Sequence, residues 1–214
     1  QSLADFIGQS AIIHENGLLA NAAASNQPFS LIFWGPPGTG KTTLARILSR
    51  KFKADYFELS AISSGVKQVR EILQKGKAAF ECGRRSILFI DEIHRFIKSQ
   101  QDALLHAVEE GSITLMGATT ENPSFEVISP LLSRCRVLRL YPLSYKELEN
   151  VLNRAMKNDI LLSQRNLTLE SDAESLLLES CGGDARKMLN TLELAVSLHS
   201  DENPKLTKID IREI

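Results

Sequence analysis

The chain has 214 residues, 43% hydrophobic and 24% charged, enough to bury a proper core in one large domain or two small ones. Its formal net charge of −1 excludes a globally basic nucleic-acid binder, so any DNA contact must be local. No apolar run approaches the ~20 residues that a membrane span requires and no signal-type apolar core stands near the start, so no membrane role is expected and the cytoplasm is the expected compartment.

Cys82, Cys135 and Cys181 are odd in number, widely spaced and without a C-x-x-C pair, which argues against a disulfide framework or a structural zinc site and for reduced thiols. The sequence opens on Gln1 rather than Met, and Lys208 to Ile214 breaks off in what reads as a continuing element, so a piece of something longer is expected.

In chain order, the first strand candidate is Leu31 to Trp34. It runs into Gly35-Pro36-Pro37-Gly38-Thr39-Gly40-Lys41-Thr42, which satisfies GxxxxGK[ST] at every position, and then into a helical pattern from Thr42 to Phe52. Glycines let backbone N–H groups turn inward around phosphates, and the helix start adds unpaired donors and a positive end. Lys41 then contacts the β- and γ-phosphates and Thr42 places its hydroxyl on Mg²⁺. The competing reading is a ligand-free Gly-rich turn, which the correctly placed strand and helix disfavour.

A strand from Tyr56 to Leu59 and a helix from Val66 to Phe80 follow. On that helix Lys67, Arg70 and Lys77 recur near helical spacing. They read either as a track for DNA phosphates or as a solvated face, the second being favoured. The next strand, Ile87 to Ile90, is of the buried type and ends in Asp91-Glu92. At the carboxyl end of a parallel strand, Asp91 suits an Mg²⁺-linked role and Glu92 a base that orients and deprotonates water. A solvated acidic turn is the alternative. His94 has no second His at metal-ligand spacing and is read as a structural or supporting residue.

A helix from Gln100 to Val108 and strands Ile113 to Gly117 and Val137 to Leu140 complete an alternating pattern, which predicts an α/β fold with a five-stranded parallel sheet between helices. After Pro142 the β-type runs stop. Helices at Lys146 to Met156, Asp172 to Ser180 and Asp184 to His199 predict a small all-helical lid. Pro142-Leu143-Ser144 suits the boundary between a core of residues 1–142 and a lid of 143–214, with Ser144 as N-cap and Glu147 completing a capping box. Arg186 and Lys187 oppose the macrodipole in the first turn of a helix that Asp184 would cap, and residues that break a local rule are often functional.

The glycine loop and Asp91-Glu92 resemble the Walker A and Walker B motifs of AAA+ ATPases. Gly117-Ala118-Thr119-Thr120 is similar to the sensor 1 segment, with Thr120 the best match; Leu132-Ser133-Arg134-Cys135 resembles the Ser-Arg-Cys motif of clamp-loader relatives; Gly183-Asp184-Ala185-Arg186 resembles sensor 2. A narrower resemblance, to the RarA/MgsA family with its Werner-helicase-interacting ATPases, runs from Asp5-Phe6-Ile7-Gly8-Gln9 to the lid. It rests on Asp91-Glu92-Ile93-His94-Arg95-Phe96, Lys98-Ser99-Gln100-Gln101-Asp102 and Glu121-Asn122-Pro123-Ser124-Phe125. The resemblance implies a DNA-dependent ATPase at stalled forks and in recombination, with ATP and Mg²⁺ as cofactors. Its expected partners are DNA junctions or gaps, single-strand-binding protein and further copies of itself in a homo-oligomer, and a bacterial member would be nucleoid-associated. It also implies that Thr43 and Ile7 join the P-loop and Arg186 around the nucleotide. Glu92, Lys41, Thr120 and Arg186 would serve catalysis, with Arg134 as a finger onto a neighbour's nucleotide. Two positions depart from the pattern. Ile97 stands where the family has Asn, and Ser60 where clamp-loader relatives carry an Asn that restrains the catalytic Glu. The resemblance also implies a C-terminal oligomerisation region, which this sequence is expected to lack.

Three other functions compete. A clamp-loader subunit would bind a sliding clamp within a hetero-oligomer. A nucleotide-gated binding module would have no use for Glu92. A small-molecule P-loop kinase would need a substrate pocket rather than Arg134, Arg186 and a separate lid.

Overall fold

The computed structural model describes residues 2–14, 17–159, 167–198 and 205–212. The chain forms two compact units, Gln1–Gly35 with Gly40–Leu140, and Pro36–Thr39 with Tyr141–Ile214.

The first unit is built on β1 (Leu31–Trp34), β2 (Asp55–Ser60), β3 (Ser86–Asp91), β4 (Thr114–Thr119) and β5 (Arg136–Arg139). All pairings are parallel, in the order β2-β3-β4-β1-β5. Its helices are α1 (Leu18–Ser25), α2 (Lys41–Lys51), α3 (Val66–Glu81), α4 (Lys98–Glu109), α5 (Pro123–Glu126) and α6 (Ser129–Leu132). The two-residue alternation of a strand divides its apolar run between two cores. Leu31, Phe33, Ile87, Phe89, Met116 and Ala118 pack with Leu19 of α1 and Leu44 and Leu48 of α2. Ile32, Leu88, Ile90 and Leu115 pack with Val69 of α3 and Leu104 of α4. Burial on both faces is why these strands read as unbroken apolar stretches.

Register decides what gathers at each end of the sheet. Trp34 lies beside Thr119, Ile90 beside Gly117 and Ser60 beside Asp91, so Gly35, Asp91 and Thr119 share the carboxyl edge. Leu31 lies beside Arg136, which places Arg134 beyond the amino ends.

The five expected strands and their helices are present, with ends displaced by a residue or two. The short α1, α5 and α6 were not expected. On α3 the cations Lys67, Arg70 and Lys77 are exposed while Val69, Gly76 and Ala79 face inward. Gly76 lets the helix approach closely, since a Cβ there would lie 2.3 Å from Cδ1 of Ile113.

The second unit contains α7 (Tyr145–Asn158), α8 (Ser171–Ser180), α9 (Ala185–Ser197) and α10 (Lys208–Arg212). Leu148, Leu152, Leu177, Met188, Leu192 and Ile211 are among the residues that form its core. A two-residue parallel ladder, β6 (Thr168–Leu169) with β7 (Lys205–Leu206), adds to the helical plan. It is too short to leave a periodic signal. Ser144 caps α7 in a capping box with Glu147. The end of the helix expected to reach His199, and Glu213 and Ile214 of the final stretch, lie outside the described residues. No helix among the described residues is long and apolar enough to cross a membrane.

Candidate nucleotide-binding and catalytic site

The strand-to-helix turn after β1 is held by contacts that permit only glycine. A Cβ on Gly35 would sit 2.3 Å from the backbone oxygen of Leu140, the residue just after β5. Gly35 N–H donates to Thr119 O, and Leu140 N–H donates to Trp34 O. Gly40, at φ +93°, is the N-cap of α2, and its missing side chain makes room for the ring of Phe6. Ile7 follows Phe6 and is half-buried. Lys41 is 8% exposed and its Nζ donates to Gly35 O at 2.7 Å, so the ammonium turns back over the loop. Thr42 is half-buried and Thr43 exposed in the first turn of α2.

Within the second unit, Pro36–Thr39 is gathered with the start of α9. Gly38 O accepts from Ala185 N–H at 3.3 Å, and a Cβ on Gly38 would fall 1.7 Å from Oδ1 of Asp184. Thr39, 2% exposed, closes the loop by donating from Oγ1 to Pro36 O at 3.0 Å. Asp184 caps α9 by accepting from the N–H groups of Arg186 and Lys187, which offsets the cations in that turn. The Arg186 side chain is exposed.

At the end of β3, Asp91 is half-buried and Glu92 takes a left-handed conformation, φ +53° and ψ +47°. Ile93 anchors this bend in the core at 0% exposure. Glu92 Oε2 lies 3.2 Å from His94 Nδ1 and receives the Thr120 hydroxyl at 3.5 Å. His94 Nδ1 is also 3.0 Å from Oγ1 of Thr119. Both groups converge on Oε2.

Thr119 and Gln101 were not singled out in the sequence. Gln101 is 2% exposed. Its amide donates to Phe96 O and Glu126 O and accepts from Ile128 N–H, tying α4 to the loop after Glu92 and to the segment that leads to Arg134. Gln100 beside it is buried too, and two adjacent glutamines in the first turn of an amphipathic helix were the available signal, because a buried amide needs partners at both ends. Asn122, noted only as part of a family stretch, caps α5 with Pro123 at the first position, a start signal that was legible.

Arg134 is separated from this edge by the length of β5, roughly 13 Å at ~3.3 Å per residue. Its guanidinium pairs with Glu109 at the end of α4 and donates to Pro130 O and Ser133 Oγ. Arg134 therefore does not meet Gly35, Asp91 or Thr119 at the carboxyl edge.

The donor set fits a nucleotide and Mg²⁺. Helices α7 and α9 have capping side chains, whereas α2 starts at a glycine with no side-chain cap and no acidic residue in its first turn. The N–H groups at its start and the buried Lys41 suit a polyphosphate. The Thr42 hydroxyl and the Asp91 carboxylate are hard oxygen donors. No cluster of three His, Cys, Asp or Glu that could hold a metal ion exists among the described residues.

A family model described as ATPase family associated with various cellular activities (AAA) matches residues 31–143, and one described as AAA C-terminal domain matches residues 163–214. The chain is 45% identical over 199 residues to replication-associated recombination protein A of Escherichia coli K12, covering 92% of this chain and 44% of the relative. The protein of the same name from Haemophilus influenzae is 46% identical over 210 residues, covering 98% and 47%. The ATPase WRNIP1 of Dictyostelium discoideum is 44% identical over 200 residues, covering 94% and 23%. The chain thus spans less than half the length of each. Among solved structures, the RuvB Holliday junction branch migration motor of Thermotoga maritima matches with TM-score 0.77 at 27% identity, over 99% of this chain and 70% of that one.

Proposed function

The chain belongs to the AAA family of ATPases, among relatives named replication-associated recombination protein A and ATPase WRNIP1, and from that premise we propose that it hydrolyses ATP at the interfaces of a homo-oligomer and spends the energy on DNA at replication forks and in recombination. The reading takes residues 1–142 as the nucleotide-binding core and 143–214 as its lid. One observation carries it. Gly35, Asp91-Glu92 and Thr119-Thr120 share one edge of the sheet, whereas Arg134 stands beyond its opposite end.

In this reading the backbone N–H groups of Gly35, Pro36–Thr39 and Gly40, less the two prolines, cradle the phosphates, and Lys41 neutralises the β- and γ-oxygens. Thr43 and Ile7 complete the contacts around the nucleotide. Thr42 and Asp91 would hold Mg²⁺, which when bound would supply charge neutralisation for the reacting phosphoryl group. Glu92 takes the attacking water's proton at Oε1 while Thr120 restrains Oε2. Arg134 of one subunit completes the charge around its neighbour's γ-phosphate, a contribution typically worth about 10³ to 10⁵ in rate. Arg186 meets the same nucleotide from the lid and links hydrolysis to lid movement. DNA, and single-strand-binding protein at the fork, are the partners of this reading, and the cytoplasm or nucleoid its setting. The relatives' names support the replication and recombination context.

The division of labour is tested by mixing Glu92→Gln with Arg134→Ala subunits of the full-length protein and measuring phosphate release with gapped DNA. Each variant alone should fall by about 10³-fold. In an equal mixture about one quarter of the interfaces join an intact Glu92 to an intact Arg134, and activity should return in that proportion. Mixtures no better than either parent would refute the shared site.

A further inference from the structure

The turn that presents Glu92 is braced by a residue to which the reaction scheme gives no task. Ile93 fills the space left by Gly117 of β4, where a Cβ would lie 3.0 Å from the Ile93 Cδ1. With Ile93 seated, His94 is drawn inward until its side chain is 8% exposed, with Nδ1 at 3.2 Å from Glu92 Oε2 and 3.0 Å from Thr119 Oγ1.

The direction of these bonds follows from what each partner can offer. The Thr119 hydroxyl donates its proton to Glu121 O at 3.2 Å and accepts from Glu121 N–H at 3.0 Å. With that proton committed, Oγ1 meets the imidazole as an acceptor. An ionised carboxylate is an acceptor only. Two acceptors around one ring nitrogen are satisfied only if that nitrogen carries a proton.

We infer that His94, as the Nδ1–H tautomer, is a positioning residue for ATP hydrolysis: it shares one proton between Glu92 Oε2 and Thr119 Oγ1, pins the carboxylate to β4 and leaves Oε1 aimed at the water. The inference rests on reading Glu92 as the base. His94 touches no substrate in this scheme. It acts through the orientation of Glu92, and so belongs to the chemical step and not to nucleotide affinity. It also couples the Glu92 carboxylate to the strand that carries Thr120, so that the base and sensor 1 move together.

Asparagine and glutamine separate this role from mere packing. Asn places its amide nitrogen the same number of bonds from Cβ as Nδ1, whereas Gln places it where Nε2 stands. In the full-length protein, His94→Ala and His94→Gln should lower kcat by about 10- to 100-fold, the scale of a misplaced reacting group. KM, and the Kd for a non-hydrolysed ATP analogue, should stay within about twofold, and His94→Asn should keep kcat within about threefold of wild type. Thr119→Val added to His94→Ala should cost little more, because both remove one bridge. Long-range ¹H–¹⁵N correlation spectra of the wild type should show the His94 proton on Nδ1. A wild-type kcat in His94→Ala, an Asn variant as impaired as the Ala variant, or a proton on Nε2 would each overturn the assignment. Glu92→Gln run alongside distinguishes the two readings. If it retains activity, the base reading is lost, whereas loss of activity there with an unaffected His94→Ala defeats only the role of His94.

Discussion

Cys82, Cys135 and Cys181 occupy three environments that the sequence could not rank. Cys82 is exposed and Cys181 is buried with its Sγ donating to Leu177 O. Burial pushes the Cys135 thiol up to about 12 and raises Cys181 as well. A thiol reagent at pH 8 should therefore titrate one fast thiol per folded chain, lost in Cys82→Ser and joined by two more on unfolding. Cys135 also makes stability depend on pH. The unfolded thiol ionises near 9.0 and the folded one near 12, so stability should decline as pH rises through that window. At this scale the sequence was most legible where a motif fixes backbone geometry. Gly35, Gly40, Lys41 and Asp91 could be read directly, because a strand, a turn and a helix start leave local marks. Thr119 could not, since its partner His94 lies 25 residues away.

Among the elements, α4 starts less well than α7 or α9. Its N-cap is Ile97, 61% exposed, with φ −69° and ψ +159° and no side-chain cap. Gln100 reaches back to the Ile97 N–H at 3.2 Å, which satisfies one donor but leaves those of the first turn uncapped. The departure from the Asn expected by resemblance thus falls on a capping position. Ile97→Asn should stabilise the protein by about 0.5–2 kcal/mol, read as a higher denaturant midpoint at unchanged m-value. The strands β1, β3 and β4 were legible because both of their faces are buried, and the long helices because their inward faces repeat at three and four. The short α5 and α6 escaped because one turn carries no period, although Asn122-Pro123 marked where α5 begins.

The whole molecule rests on separate cores. Leu177 is fully buried in the core of the second unit, with Leu148, Met188 and Leu192 among its companions, while Leu88, Ile90 and Leu104 belong to the first. Leu177→Ala should cost about 2–5 kcal/mol, with amide exchange accelerated in α8 and α9 and unchanged in β3 and β4. Uniform loss of protection across both units would contradict this division. The sequence by itself determined the phosphate loop, its flanking strand and helix, the run of buried strands and the change to helices after Pro142, because periodicity and turn chemistry are local. Tertiary structure alone decided the order β2-β3-β4-β1-β5, the meeting of Glu92 with His94 and with a threonine 28 residues away, the removal of Arg134 to the far end of the sheet, and the grouping of Pro36–Thr39 with the helical unit. Each of these depends on the register between segments distant in the chain, and a local pattern carries no record of which distant strand its backbone will pair with.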